Sequence, residues 1–253
     1  MVSIIVVSHN RLNFLSKCLK EVISSTDKLN KELIIWDNAS GSETVNYIKQ
    51  QVNKYSFIRP IYYKENIGVN AKAKSFEISK GDFIVCLDDD IIELPDKWIT
   101  KMINAFETYD KLGYLALDVI QNEYTTGAKF SEESYTEKEF GNGTVLQFGP
   151  TGGWCFMIPR RIYDIVGPLR QMKNRIFFGE DEDYVIRCQL KGLESAILKG
   201  VKCFHATGPY YNKEYKEIFE NKMSDFKLSD IDFHKFILII KNILFKIKKR
   251  LIK

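Results

Sequence analysis

The chain has 253 residues, 45% of them hydrophobic, enough for a large buried core. With 15 glycines and 6 prolines, neither a collagen-like nor a long disordered chain is indicated. The net charge of +4 sits in one place: residues 233–253 hold Lys235, Lys241, Lys246, Lys248, Lys249, Arg250 and Lys253 and no acid, and taking those seven from the 37 basic residues leaves 30 against 33 acidic ones, so a basic cleft for nucleic acid is excluded.

The elements follow in chain order. Ser3–Ser8 is β-branched and apolar and reads as a buried strand. Arg11–Ser25 places Leu12, Leu15, Leu19, Val22 and Ile23 at helical spacing. Glu32–Asp37 is a second strand, and Ser42–Tyr55 a second helix with Ser42 as its cap. Phe57–Tyr63 is a third strand, Val69–Ser79 a third helix, and Asp82–Leu87 a fourth strand ending at Asp88-Asp89-Asp90. Pro95 opens a helix to about Tyr109, and Tyr114–Ile120 is a further strand. Residues 121–148 have no clear period and read as a variable insertion. Gly149–Ile158 is apolar and Gly-rich. A short helix near Arg160–Val166, a helix from the 177–183 segment to about Lys191, and two strands near Ser195–Leu198 and Val201–His205 complete the body.

This β-α-β-α order implies an α/β fold with a mostly parallel sheet and helices on both faces. Ligands of such sheets lie beyond the carboxyl ends of the strands. Three polar clusters fall there: Ser8-His9-Asn10-Arg11, Asp37-Asn38-Ala39-Ser40 and Asp88-Asp89-Asp90. The five cysteines are odd in number and form no CxxC pair, so they read as buried reduced thiols. The opening apolar run is too short for a signal sequence, and no run of ~20 apolar residues exists. A cytoplasmic protein is expected.

Three adjacent carboxylates repel one another. In extended chain Asp88 and Asp90 point to one side and Asp89 to the other. Two carboxylates on one side suit Mg²⁺ or Mn²⁺, which would bridge to diphosphate oxygens; the alternative is a solvated acidic turn. Glu180-Asp181-Glu182-Asp183 offers acids favoured by a helix N-terminus. Phe177-Phe178 before it would desolvate one of them and suit it to accept a proton. His205 ends an apolar strand, as a structural residue or as the completion of a metal site.

These residues resemble the family 2 glycosyltransferases, inverting enzymes of the GT-A fold, over residues 1 to about 208. Val7-Ser8-His9-Asn10-Arg11 resembles the opening strand-loop. Trp36-Asp37-Asn38-Ala39-Ser40 is similar to the motif whose Asp reads the nucleobase, and Glu65-Asn66-Ile67-Gly68 to the segment near the nucleoside. Asp88-Asp89-Asp90 matches the DxD motif, Gly152-Gly153-Trp154 the acceptor-side Gly-Gly segment, and Glu180-Asp181 the pair that carries the catalytic base. The resemblance implies that Asp181 is the base, that Asp90 and His205 hold the metal, and that Asp88 lies near the ribose and diphosphate. It places Val7, Ser8, His9, Asn10, Arg11, Asp37, Asn66, Gly68, Lys72, Asp88 and Asp89 at the nucleotide sugar. Gly152, Gly153, Trp154 and Glu180 would meet the acceptor. Many members carry an Arg near residues 71–75; here Lys72 and Lys74 are the nearest cations.

The expected organisation is a glycosyltransferase domain over 1–212, with a nucleotide-sugar half (1–120), the insertion (121–148) and an acceptor half (149–212). The extension is 213–253. The expected donor is a UDP-sugar, with TDP-sugars open because both bases offer an N–H to Asp37. The acceptor would be a glycan or lipid-linked hydroxyl in bacterial surface polysaccharide or glycolipid synthesis. The rivals are a sugar nucleotidyltransferase, a retaining transferase, and a carbohydrate-binding protein with a vestigial site. The first usually needs a Gly-rich loop after the first strand, which Ser8–Arg11 lacks. Phe233, Phe236, Ile237, Ile240, Ile243, Leu244, Ile247 and Leu251 form one helical stripe with lysines opposite or at the end. The pattern fits a helix lying in an anionic membrane surface at the inner face of the cell membrane. Packing on the core or on a second subunit of a homodimer is the alternative. Truncation at residue 230 is expected to abolish flotation with anionic liposomes; flotation that survives it defeats the membrane reading.

Overall fold

The computed structural model describes residues 1–125, 129–172, 179–213 and 220. The expected tail helix, and Phe177-Phe178, lie outside the described residues. Among those residues, no helix is long and apolar enough to cross a membrane.

The first half of the sheet follows from its apolar runs. β1 (Val2–Ser8) pairs in parallel with β2 (Lys31–Asn38) and with β4 (Phe83–Asp88), and β2 with β3 (Ile58–Tyr63). Ile4, Ile5, Leu33, Ile34, Ile35, Ile84, Val85 and Leu87 are fully buried, as continuous β-branched and aliphatic strands of a two-sided parallel sheet should be. Each such side chain contributes about 1.5–3 kcal/mol of burial. Helices α1 (Leu12–Ser25), α2 (Ser42–Lys54) and α3 (Asn70–Ile78) make the crossovers. The register sets Val7 beside Trp36 and Asp88, and Ser8 beside Asp37. The polar clusters after β1, β2 and β4 therefore share one edge.

β5 (Ile91–Glu93) and α4 (Trp98–Thr108) follow, then β6 (Leu112–Val119). β9 (Cys155–Pro159) runs antiparallel between β4 and β6, so β6 points the same way as β4. α5 (Arg160–Val166) and α6 (Glu180–Leu190) lead to β10 (Glu194–His205), which is parallel to β6. With β7 (Thr136–Glu139) and β8 (Val145–Phe148), the sheet order is β3-β2-β1-β4-β9-β6-β10-β8-β7, with β5 on the end of β10. All five cysteines are buried and free.

Four details differ from the sequence reading. α2 begins at Ser42, but its N-cap is Gly41 and no side chain caps it; Asn10 Oδ1 accepts the Gly41 N–H at 2.7 Å. α4 starts at Trp98, after Lys97 in the left-handed region (φ 56°), so Pro95 lies in the turn before it. The 121–148 segment is part of the sheet: a 3₁₀ turn at Glu132–Ser134 precedes a hairpin of β7 (Thr136–Glu139) and β8 (Val145–Phe148), and β8 pairs with β10. β7 reads as a loop because all four of its residues are exposed and polar, so no alternation marks it. The two expected C-terminal strands are one. β10 slips register between Leu198 and Lys202, where Gly200 has φ 78° and donates its N–H to Asp118 Oδ2 at 3.0 Å, and pairing with β6 then resumes.

Asp118 also anchors the insertion. Lys129 Nζ lies 3.0 Å from Asp118 Oδ1 and 2.7 Å from Gln147 Oε1, with the Lys129 and Asp118 side chains 4% and 3% exposed. Removing the cation would leave a buried carboxylate with backbone N–H donors but no counter-charge. Lys129→Met is expected to cost about 3–5 kcal/mol of stability in denaturant titration; a loss under about 1 kcal/mol, the range of an exposed ion pair, would contradict this account.

Candidate active site and metal centre

The last residue of β4 is Asp88, whose N–H is donated to the Trp154 carbonyl at 2.9 Å. The chain then turns through Asp89 and Asp90, and β5 folds back antiparallel onto the end of β10, with Ile91 opposite His205. Ala206 donates its N–H to the Asp90 carbonyl at 3.0 Å. Two backbone pairings thus deliver His205 to the aspartate turn, from a position more than a hundred residues away.

The side chains separate at this turn. Asp88 and Asp90 share His205: its Nε2 is 3.0 Å from Asp90 Oδ1 and 3.8 Å from Asp88 Oδ2. Asp89 goes elsewhere. It accepts the Ser8 hydroxyl at 2.7 Å and the Arg11 guanidinium, whose other nitrogen reaches Asp90 Oδ2 at 2.8 Å. Burial works against the charge of Arg11, but Asp89 and Asp90 outweigh it and raise its pKa. Burial raises the Asp89 carboxyl to about 7, against the pull of Arg11. Asp90 is buried as well, yet His205 and Arg11 together hold its pKa far below the ordinary carboxylate range. His205 is raised: burial disfavours the imidazolium, and Asp90 and Asp88 overcome that. Ser8, Arg11 and Asp89 were expected at the donor. Here their polar atoms hold one another and brace the turn from beneath.

One atom of each of Asp88, Asp90 and His205 lies within 4.8 Å of the other two. Asp90 Oδ1 is buried without an aligned hydrogen bond, as is His205 Nδ1. A buried carboxylate oxygen beside a second carboxylate and an imidazole fits a divalent cation of the Mn²⁺ or Mg²⁺ kind. Asp88 therefore joins Asp90 and His205 as a candidate ligand, beyond the pair the resemblance implied.

Lys72 connects this centre to the second acidic cluster. From α3, its Nζ is 3.0 Å from Asp88 Oδ1, 2.9 Å from Glu180 Oε1 and 3.5 Å from the Gly153 carbonyl. Burial opposes its charge, and Asp88 and Glu180 more than restore it. Glu180 is only 4% exposed and is held in this pair. Asp181, the next residue, is half-buried and accepts the Glu182 N–H at 2.8 Å. Burial, and then the Glu180 charge, push its carboxyl up to about 6. A Cβ on Gly153 would lie 3.1 Å from Asp181 Oδ2, so a side chain there would press on this carboxylate. At Gly152 a Cβ would collide with the Trp154 ring. Trp154 itself is buried, with its Nε1–H on the Leu117 carbonyl at 2.9 Å, so it shapes the wall from behind.

The remaining expected residues line the β1–β3 edge. Val7 is partly buried against the core. His9 Nδ1 is 2.7 Å from the Asn38 carbonyl, and Asn10 Oδ1 binds the Gly41 N–H. Asp37 is buried and accepts the Ser40 N–H at 3.3 Å. Asn66 Oδ1 accepts the Asn38 amide at 2.8 Å and the Gly68 N–H at 3.0 Å, with Gly68 at φ 54°. Asn38 is the residue the sequence reading left without a role. Its amide also reaches the Gly68 carbonyl and its Oδ1 accepts the Ile67 N–H, so it ties the second loop to the third. An Asn next to Asp37 was the available signal.

A model of the family described as glycosyl transferase family 2 matches residues 3–165. The chain belongs to that family. The match stops before Glu180, Asp181 and His205, so those three rest on the geometry above. A cholesterol galactosyltransferase of Borreliella burgdorferi is 31% identical over 94 residues, 36% of this chain and 26% of its own length. The mannosyltransferase PcManGT from Pyrobaculum calidifontis, solved with GDP-Man and Mn²⁺, superposes with a TM-score of 0.64 at 12% identity, over 88% of this chain and 61% of that one. GalNAc-T7 with UDP, GalNAc and Mn²⁺ gives 0.63 at 14% identity, over 81% and 43%. S. aureus TarS 1–349 in complex with UDP gives 0.61 at 12%, over 87% and 64%. This chain thus spans less than two thirds of each of these relatives. The likeness shows the fold, the GT-A arrangement of a mostly parallel central sheet flanked by helices.

The donor set makes a direct prediction. Mn²⁺ is expected to raise the unfolding temperature of the full chain, by the equivalent of about 2.7 kcal/mol at a hundred times its Kd, and Asp90→Asn or His205→Gln to remove that rise. An undiminished rise in both variants would place the cation elsewhere.

Proposed function

We propose that this chain is an inverting, metal-dependent glycosyltransferase that moves a sugar from a UDP-sugar to an acceptor hydroxyl. The observation that carries the reading is the pairing of an acid-rich cation site with a separate, partly desolvated carboxylate, Asp181, across one lysine. Asp88, Asp90 and His205 would hold the cation. When bound, it would offset negative charge on the diphosphate oxygens.

The chain's own groups do the rest. Asp181, ionised above about pH 6, takes the proton of the acceptor hydroxyl. That oxygen forms the new bond to the anomeric carbon, the bond from that carbon to the phosphate oxygen breaks, and its electron pair stays on the departing nucleoside diphosphate. Attack from the face opposite the leaving group inverts the configuration. Lys72 keeps Glu180 neutralised, which stops a second negative charge beside Asp181 from raising its pKa further. Asp37, with one oxygen on Ser40, keeps the other for a uracil N–H. Neighbours solved with UDP support this donor; another solved with GDP-Man shows that the fold alone does not choose it.

The nucleotidyltransferase alternative is not favoured by family membership, and the complete set of acids speaks against a vestigial site. The setting we favour is synthesis of bacterial surface glycans or glycolipids on the inner face of the membrane, with the basic 233–253 segment as the contact.

Asp181→Asn removes the base with little change in volume. Transfer is expected to fall by a factor of about 10² or more while UDP with Mn²⁺ still stabilises the protein; near-normal turnover would refute the assignment. In the wild type, kcat should rise with pH through about 6 and level off above it, because the ionised carboxylate is the active form and is lost on acidification. A profile flat from about pH 5 to 8 would exclude Asp181 as the base.

A further inference from the structure

Beside the cation site, at the same sheet edge, lies a cluster of aromatic rings that the proposed chemistry does not use. Phe204 precedes His205 on β10, and its ring meets Tyr211 edge-on at 5.1 Å. Tyr211 meets Tyr210 edge-on at 5.0 Å, and Tyr210 stacks on Tyr124 at 4.1 Å with the planes 18° apart. Tyr124 comes from the loop after β6, and that loop is fastened to β10 where Ile120 donates its N–H to the Cys203 carbonyl at 2.9 Å. Asn122 orients both partners: its amide donates to the Tyr211 hydroxyl at 2.7 Å, and its Oδ1 accepts the Tyr124 N–H at 2.9 Å.

Tyr124 and Tyr210 are 44% and 66% exposed, so the stacked pair adds little to the core. Two rigid rings are held ready in water by side-chain and backbone bonds of their own. Such pre-organisation lowers the entropy cost of binding. The negative face of an aromatic ring attracts polarised C–H groups, and a pyranose presents one face made of C–H groups with hydroxyls around its rim. Tyrosine adds a hydroxyl at the ring tip for that rim. A lipid-docking surface would instead present a wider apolar face bordered by a row of Lys and Arg.

We infer that Tyr124 and Tyr210, positioned by Asn122 and Tyr211, form a stacking platform for a sugar ring of the acceptor. This rests on the proposed transferase reading and narrows its acceptor to a saccharide, or the saccharide portion of a glycolipid, that enters from the β6–β10 side.

The test is saturation-transfer-difference NMR on the full chain with methyl β-D-glucopyranoside, methyl β-D-galactopyranoside and methyl N-acetyl-β-D-glucosaminide. At least one is expected to take up saturation on its ring C–H protons. Tyr210→Ala and Tyr124→Ala should each weaken that binding roughly fivefold, and Tyr210→Phe should largely retain it. No uptake by any of the three, or full uptake in alanine variants that unfold at the wild-type temperature, would overturn the platform. So would flotation of the wild type with phosphatidylglycerol vesicles that is lost in Tyr210→Ala without any saccharide signal, since the surface would then be a lipid contact. Stabilisation of the wild type by UDP and Mn²⁺ separates the two claims. Its presence without saccharide binding defeats the platform alone; its absence with saccharide binding defeats the transferase reading and leaves a sugar site.

Discussion

Three consecutive aspartates at the end of a hydrophobic strand are an electrostatic burden, and the site is organised around relieving it. Two of the three are buried, and burial alone would push their protons back on. Arg11 from α1's entrance, Lys72 from α3 and His205 from β10 approach from different elements and share the negative charge. Each cation faces two carboxylates. The arrangement keeps Asp90 ionised while leaving one of its oxygens without an aligned donor. A site relieved completely by protein cations would have nothing left for a metal.

Lys72 gives the centre its reach. By holding Asp88 and Glu180 with one ammonium, it fixes the start of α6 against the turn after β4. Asp181 is then set by its place next to Glu180 and by the absence of a side chain on Gly153. Its proton affinity depends on the same neighbours, so the groups proposed for the leaving side and for the attacking side are parts of one charge network.

Much of this was legible in the chain. Continuous apolar runs marked β1, β2 and β4, and their carboxyl ends carried the polar clusters that the parallel register then brought to one edge. The separation of Asp89 from Asp88 and Asp90 was expected for extended chain, and the structure makes it in the turn after β4. What stayed hidden depends on tertiary partners. Nothing local to Arg11 announces two aspartates nearly eighty residues away as its partners, and Lys72 resembles any helix lysine until Glu180 is placed beside it. β7 carries only polar residues, and β10 bridges a glycine that would ordinarily end a strand, because Asp118 satisfies the amide at the slip. Gly41 stands at the cap position ahead of Ser42, with its amide held by Asn10 from a neighbouring loop.

The outermost strands have a consequence for the molecule's behaviour in a crowded solution. Among the described residues β3 and β7 are the two margins of the sheet. β3 carries Pro60 in its interior, which lacks a donor for an incoming chain, and β7 runs Thr136-Glu137-Lys138-Glu139, three charges in succession. Both are devices that discourage strand addition and the growth of amyloid-like ribbons. Both rims are thereby poor templates for self-association through the sheet.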